Sequence, residues 1–244
     1  MTPPAFHRQL WSALRGWWRE QSRQKGAAAA STLLVHELWT FLRDSTPERR
    51  RRRYGDMEYD WEHRVNTTSG TVGWRERLLG VFHSPYQPTD AALFQEMMSS
   101  LPIAFSEFTF VDLGSGKGRT LLMASEYPFR RIVGVEILPE LHRAAEKILP
   151  TTRARRSNVG RSSRYALTRA SLICRRDRYC CICSIRCRRR LNQMLLNLEK
   201  SLRQHFRPLY VLYQNPLLDH VLEGSTLLKC TGGTHQYSIH TNAE

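Results

Sequence analysis

The sequence contains the stretch Phe110-Val111-Asp112-Leu113-Gly114-Ser115-Gly116-Lys117-Gly118-Arg119-Thr120, followed downstream by Ile132-Val133-Gly134-Val135-Glu136. The strand that opens it, residues 109–113 when Thr109 is included, is a short apolar run of the kind found in buried parallel strands. Three closely spaced glycines then allow a tight turn and a close approach of the backbone to a ligand. The apolar residues 121–124 indicate a helix, and a second strand ends at Glu136. The stretch therefore predicts a ligand site at the carboxyl ends of two parallel strands.

Three patterns of nucleotide-binding site are relevant to this stretch. A Walker loop is excluded because Val111 and Gly118 occupy the positions of its first glycine and its Ser or Thr. The dinucleotide fingerprint, and with it an NAD-linked oxidoreductase, is disfavoured because the third glycine lies two positions after the second, whereas the fingerprint requires three. The spacing Asp-x-Gly-x-Gly-x-Gly, with an acid closing the next strand, resembles motif I of the class I S-adenosylmethionine methyltransferases. The resemblance covers residues 86–149 and resumes at Leu191.

The resemblance implies S-adenosylmethionine as the cofactor and assigns roles to individual residues. Asp112 and the glycine loop would hold the methionine portion, and Glu136 would bind the ribose. The loop residues concerned are Gly114, Ser115, Gly116 and Gly118. A glycine turn that serves only helix packing is the alternative.

A further helix begins after Tyr86-Gln87-Pro88-Thr89, and in the family the corresponding helix borders the cofactor pocket. Tyr86 and Thr89 are therefore candidate cofactor or substrate contacts. The alternative is an ordinary packing helix that Thr89 caps.

The fold expected from these elements is α/β, a Rossmann-like methyltransferase sheet with helices on both faces. A chain of 244 residues with 41% apolar residues can bury such a core. We expect a helical, basic N-terminal extension over residues 1–80 and a methyltransferase-like domain over residues 81–244. The C-terminal part, with Leu227–Cys230, two glycines at 232–233 as the turn, and Thr234–His240, predicts an antiparallel hairpin.

The N-terminal residues 5–24 combine an apolar stripe with four arginines, which predicts an amphipathic basic helix. We favour packing of this stripe on the domain or on a partner over peripheral contact with a membrane surface. The stripe consists of Phe6, Leu10, Trp11, Leu14, Trp17 and Trp18. No transmembrane segment is predicted, so a cytoplasmic location is the expectation. The arginine run 49–53 reads as a solvated linker, or else as a phosphate-binding patch, and residues 54–73 read as irregular.

Residues 151–190 depart from the family. They contain 13 of the arginines and one acid, Asp177, and so account for +12 of the formal charge of +15. No run in this segment has the pattern of a buried strand, although the third and fourth strands of the family fold are expected here. In the family, the ends of these strands supply an acid at the edge of the adenine and part of the substrate pocket. We therefore expect an aberrant or poorly ordered segment. One hypothesis is that two compensating frame changes in a GC-rich gene bound it.

Five of the six cysteines lie in the same segment. One crowded cluster without a nearby histidine fits a zinc site poorly, so no metal site is predicted. Disulfides are not expected in a cytoplasmic protein.

From Leu191 onward the family pattern returns, with a helical apolar repeat that continues to Phe206 and a strand over residues 209–213. Asn215 and Pro216 follow that strand. They resemble a motif that holds the target amine in some amino-methylating members, although strand counting places them after the fifth strand rather than the fourth. A plain turn is the favoured alternative.

The function expected is S-adenosylmethionine-dependent methyl transfer to an unknown acceptor: a protein side chain, a nucleic acid or a small molecule. Activity could be impaired by the 151–190 segment, and no catalytic base can be named. The alternative is a non-catalytic basic binding or scaffold protein on a degenerate methyltransferase core. It would bind nucleic acid or acidic partners through residues 49–53 and 153–190.

Overall fold

The structure is a computed structural model. It describes residues 6–43, 45–46, 57–68, 74–82, 87–136, 138–155, 165–168, 177–185 and 188–243. Within it the chain divides into two compact units, residues 1–88 and residues 89–244. The arginine run 49–53 and Tyr86 lie outside the described residues.

The first unit is helical. Its helices are α1 (Phe6–Lys25), α2 (Ala27–Arg43), α3 (Met57–His63) and α4 (Trp74–Phe82). The chain passes from α1 to α2 through Gly26, whose φ of 84° lies in the left-handed region that glycine adopts without strain.

The predicted helix at the N-terminus is confirmed, and part of its apolar stripe packs within this unit. Trp17 of α1 meets Phe82 of α4 edge to face at 6.0 Å between ring centroids. Trp11, in contrast, is 63% exposed, so the stripe is not buried as a whole. Among the described residues no helix is both long and apolar enough to cross a membrane.

The prediction that residues 54–73 are irregular was wrong for the part that forms α3. Two acids in the first turn of α3, Glu58 and Asp60, favour a helix N-terminus. The carboxylate of Asp60 also accepts hydrogen bonds from the backbone amides of Thr67 and Thr68 at 2.7 and 2.8 Å. These bonds order the chain that follows α3.

The second unit is built on a seven-stranded sheet with the order β3-β2-β1-β4-β5-β7-β6. Strands β1 to β5 are parallel, and β7 is antiparallel to both β5 and β6. The strands are β1 (Phe108–Leu113), β2 (Arg131–Val135), β3 (Tyr165–Thr168), β4 (Arg178–Cys183), β5 (Leu209–Gln214), β6 (Lys229–Gly233) and β7 (Tyr237–Thr241). The helices are α5 (Ala91–Ser99), α6 (Arg119–Ala124), α7 (Pro139–Arg155), α8 (Arg188–Gln204) and α9 (Asp219–Glu223), with a 3₁₀ turn at Phe105–Glu107.

Both faces of this sheet are buried, as the alternation of side chains along β1 shows. Phe110 packs edge to face against Phe94 of α5 on one face. Its neighbour Val111 belongs to a cluster with Leu198 of α8 and Val211 of β5 on the other face. Burial on both faces explains why four of the six residues of β1 are apolar, Thr109 and Asp112 being the exceptions.

The prediction that residues 151–190 contain no strand of the sheet was wrong. β3 pairs with β2, and β4 lies between β1 and β5 with residues 179–183 buried. The signal was missed because β4 has the sequence Arg-Tyr-Cys-Cys-Ile-Cys, in which cysteines act as small buried apolar residues. The frame-change hypothesis was based on the excess of Arg, Ser and Cys in this segment and on the absence of these strands, and it loses the second support.

Two boundaries near the C-terminus also differ from the predictions. Helix α8 ends at Gln204, and Phe206, which was predicted as its last apolar position, is 78% exposed. The C-terminal hairpin is confirmed, but Gly232 and Gly233 lie in β6 and the turn comprises residues 234–236. Thr234 closes this turn by donating its backbone N–H to the carbonyl of Tyr237 at 2.7 Å.

Candidate functional site

The candidate site lies where β1 and β2 end side by side. In the parallel register Asp112 is level with Gly134, and Leu113 with Val135. Asp112 thus lies one residue before the end of β1, while Glu136 follows the last residue of β2 directly. The two carboxylates predicted as cofactor ligands are therefore at the same edge of the sheet, and both are buried.

The loop between β1 and α6 carries the three predicted glycines, and all three have positive φ. The values are 104° at Gly114, 53° at Gly116 and 87° at Gly118. The backbone N–H groups of Gly114 and Ser115 both donate to the carbonyl of Val135, at 2.8 and 3.1 Å. The end of β2 therefore holds the start of the loop in place.

The Glu136 side chain faces the same loop. One carboxylate oxygen, Oε2, accepts the backbone N–H of Gly116 at 2.8 Å, and the other, Oε1, accepts that of Leu138 at 2.7 Å. A carboxylate can accept about four hydrogen bonds. The two backbone bonds therefore orient the group and are compatible with sugar hydroxyls as additional donors.

The second carboxylate, Asp112, is held by Thr120 in the first turn of α6, whose hydroxyl donates to Oδ2. Burial raises the pKa of Asp112 to about 7; the Thr120 hydrogen bond opposes this rise, and the nearby Glu136 charge adds to it. The protonation state of this carboxyl therefore changes in the neutral pH range.

Thr89 does not cap α5, contrary to one of the two predictions for it. The cap is Asp90, whose side chain accepts the backbone N–H of Leu93 at 3.0 Å. Thr89 is buried instead and donates its hydroxyl to Oε1 of Gln214 at 2.8 Å. Because Gln214 is the last residue of β5, this pair lies at the same carboxyl edge of the sheet as the glycine loop. Tyr86, the other candidate on this segment, is not among the described residues.

Asn215 and Pro216 follow β5, as strand counting predicted. Asn215 has a φ of 53°, and its backbone N–H donates to the carbonyl of Gln236 at 2.8 Å, next to the hairpin turn. β5 is two positions from β1 in the sheet, which corresponds to about 10 Å between strand axes. Asn215 thus lies at the correct edge but beyond β4.

Sequence reasoning missed three residues of this region. Thr120 and Gln214 bind the predicted residues Asp112 and Thr89, and Lys117 in the glycine loop is 5% exposed. Thr120 carried a usable signal, because a hydroxyl in the first turn after the loop can reach back to the strand end. Gln214 carried no signal in the sequence, since its hydrogen-bond partner Thr89 is 125 positions away.

The parallel strands, the antiparallel hairpin at the C-terminus, the glycine loop after β1 and the acid after β2 together decide the fold class. The chain has an α/β, Rossmann-like fold. The glycine loop and the carboxyl ends of β1 and β2 lie at one edge of the sheet, together with Asp112 and Glu136.

Comparisons with known proteins add little to this assignment. No protein-family model matches the sequence, and no curated protein matches it either. Among solved structures, an RNA methyltransferase from Salinibacter ruber in complex with S-adenosyl-L-homocysteine is 17% identical, with a TM-score of 0.43 over 64% of this chain and 92% of that one. A ribosomal protein L11 methylase from Lactobacillus delbrueckii subsp. bulgaricus is 18% identical, with a TM-score of 0.40 over 62% and 75%. A protein in the NADB-Rossmann superfamily from Streptococcus agalactiae is 15% identical, with a TM-score of 0.45 over 64% and 68%.

Proposed function

We propose that this protein is an S-adenosylmethionine-dependent methyltransferase. The observation that carries the proposal is the position of Glu136, whose carboxylate follows β2 and is bonded to the backbone of the glycine loop after β1. A carboxylate in this place suits the two hydroxyls of a ribose, which are paired hydrogen-bond donors. The domain from residue 81 onward would carry the activity, with residues 1–80 as an extension.

The methionine portion of the cofactor would be held by Asp112 and by the backbone at Gly114, Ser115, Gly116 and Gly118. An ionised Asp112 is the natural partner of the ammonium group of that portion. Thr120 supports this role, because its hydrogen bond stabilises the ionised form of a carboxyl that burial disfavours.

Methyl transfer from a sulfonium is an in-line displacement, in which the acceptor forms a bond to the methyl carbon as the carbon–sulfur bond breaks. The contribution of the protein is mainly proximity and alignment. Thr89 and Gln214, joined by a buried hydrogen bond at the same sheet edge, are candidates to shape the cofactor or acceptor pocket. Tyr86, Asn215 and Pro216 remain candidate contacts for cofactor or acceptor.

The 151–190 segment suggests that cofactor binding is weakened. Its only acid, Asp177, precedes β4 and pairs with Arg130 at 3.6 Å before β2, at the amino edge of the sheet. It is therefore at the opposite edge from Glu136 and cannot serve the adenine.

Calorimetric titration of the full chain with S-adenosylmethionine tests the proposal. We expect saturable binding at pH 8 that Asp112→Ala or Glu136→Ala weakens by at least tenfold, while the exposed Glu140→Ala leaves it unchanged. Affinity should also fall by about tenfold per pH unit below 7, as Asp112 takes up a proton. An absence of cofactor heat together with salt-sensitive binding of nucleic acid would instead support the basic scaffold protein.

A further inference from the structure

A second group of polar side chains lies at the other end of the sheet, away from the glycine loop. It consists of Asp219 at the start of α9, Cys230 in β6 and His240 in β7. A carboxylate oxygen, the Sγ atom and a ring nitrogen of these residues all lie within 4.8 Å of one another. The site proposed for the cofactor uses none of them.

The hairpin register brings two of the three together. Cys230 is paired with His240 across β6 and β7, so both side chains project from the same face. His240 is fully buried, and its Nε2 lies 2.8 Å from Oδ1 of Asp219. The Ser238 hydroxyl donates to the same Asp219 oxygen at 2.6 Å. Cys230 is exposed, so the cluster opens to solvent on its thiol side.

These donors match one class of metal ion. Thiolate sulfur, imidazole nitrogen and carboxylate oxygen are the three ligand types that Zn²⁺ takes in proteins, whereas Mg²⁺ and Ca²⁺ take oxygen ligands. A Zn²⁺ ion with one thiolate, one carboxylate and one neutral imidazole has no net charge, which suits a site that is half buried.

We propose that Asp219, Cys230 and His240 form a Zn²⁺ site with one further position for water or the Ser238 hydroxyl. On binding, the Cys230 S–H bond breaks, its proton passes to solvent and a bond from Sγ to zinc forms. The Nε2 proton of His240 moves to Nδ1, which has no hydrogen-bond partner among the described residues. Zinc bonds of about 2.0–2.3 Å separate the ligand atoms by roughly 3.3–3.8 Å, so Asp219 and His240 part by about half an ångström.

The three cysteines of β4 do not compete with Cys230 for the metal ion. Burial raises the pKa of Cys180 to about 12 and that of Cys181 and Cys183 still further, so these three remain thiols at neutral pH. Cys174 and Cys187 lie outside the described residues, and the experiment must separate their contribution.

Titration of the metal-free full chain with Co²⁺, followed by displacement with Zn²⁺, tests the site. A thiolate ligand produces a thiolate-to-cobalt charge-transfer band. We expect this band in the wild-type chain and in Cys174→Ser, Cys187→Ser and His235→Ala, and its loss in Cys230→Ser. His235 is an exposed histidine in the β6–β7 turn and serves as a matched control.

Zinc affinity, measured by competition with a chromophoric chelator, should fall at least a hundredfold in Cys230→Ser. Zinc should raise the melting temperature of the wild type but not of this variant, whose exposed position lets it fold. The absence of a band in the wild type, or a band that persists in Cys230→Ser, overturns the proposal. Neither outcome bears on binding of S-adenosylmethionine, so the two proposals fail separately.

Discussion

The Glu136 carboxylate accepts a hydrogen bond from the backbone amide of Gly116, with 2.8 Å between Oε2 and N. The bond joins the residue after β2 to the middle of the loop after β1. Together with the bonds from Gly114 and Ser115 to Val135, it fixes the loop against the neighbouring strand. The loop is therefore held in shape by the protein itself, and this limits the entropy that a ligand must remove.

Glu136→Gln should lower the free energy of unfolding by about 1–2 kcal/mol. The glutamine side chain has one acceptor oxygen where the carboxylate has two. The backbone N–H of either Gly116 or Leu138 therefore loses its buried hydrogen-bond acceptor. Chemical denaturation followed by circular dichroism measures the change. The matched control is Glu140→Gln, which removes an exposed carboxylate paired with Arg143 and should change stability by less than about 0.5 kcal/mol. Equal effects of the two variants would contradict a structural role for Glu136.

Asp112→Asn should change how stability depends on pH. The pKa of Asp112 is raised from 3.8 to about 7 on folding, so the folded state binds more protons than the unfolded state between these values. In the wild type this group therefore lowers the free energy of unfolding as pH rises from about 4 to 7, by at most about 4 kcal/mol. Above pH 7 the loss is complete.

The asparagine variant does not titrate and should escape this loss. We expect the free energy of unfolding of the variant, relative to that of the wild type, to increase between pH 4 and 7 and to level off above pH 7. Urea unfolding of both proteins at a series of pH values measures this difference. A constant difference between the two proteins over this range would contradict the raised pKa.

Gly118→Ala should destabilise the protein by about 1–3 kcal/mol. Gly118 has a φ of 87°, and an added Cβ would lie 3.3 Å from the Cβ of Ala145 in α7. Gly16 in the middle of α1 provides the contrast, because its φ is not positive and no atom lies within 4 Å of an added Cβ. Gly16→Ala should stabilise its helix by up to about 1 kcal/mol. Chemical denaturation measures the change in the free energy of unfolding for both variants, which should be opposite in sign. A Gly118→Ala protein as stable as the wild type would contradict the prediction.

The fold and the candidate site were predictable to different extents. The strand, loop and acid around Asp112 and Glu136 were read correctly, because apolar runs, glycines and chain-local spacing carry that information. β4 was missed because cysteines rather than branched aliphatic residues fill its buried positions. Capping of α5 was one of the two predictions for Thr89, whereas the residue after it, Asp90, is the cap; both residue types occur at helix N-caps, so the sequence left the choice between neighbours open.

The sequence by itself determined the strand, loop, helix and strand from residue 108 to residue 136, the glycine turn after β1 and the positions of both carboxylates at strand ends, because these depend on local propensity and on periodicity. Only the tertiary structure decided what these groups contact. The pairing of Thr89 with Gln214, the raised pKa of Asp112 and the meeting of Asp219, Cys230 and His240 all depend on strands that are distant in the chain and adjacent in the sheet. Burial and hydrogen bonding across such contacts are properties of the packed sheet, and no spacing along the chain encodes them.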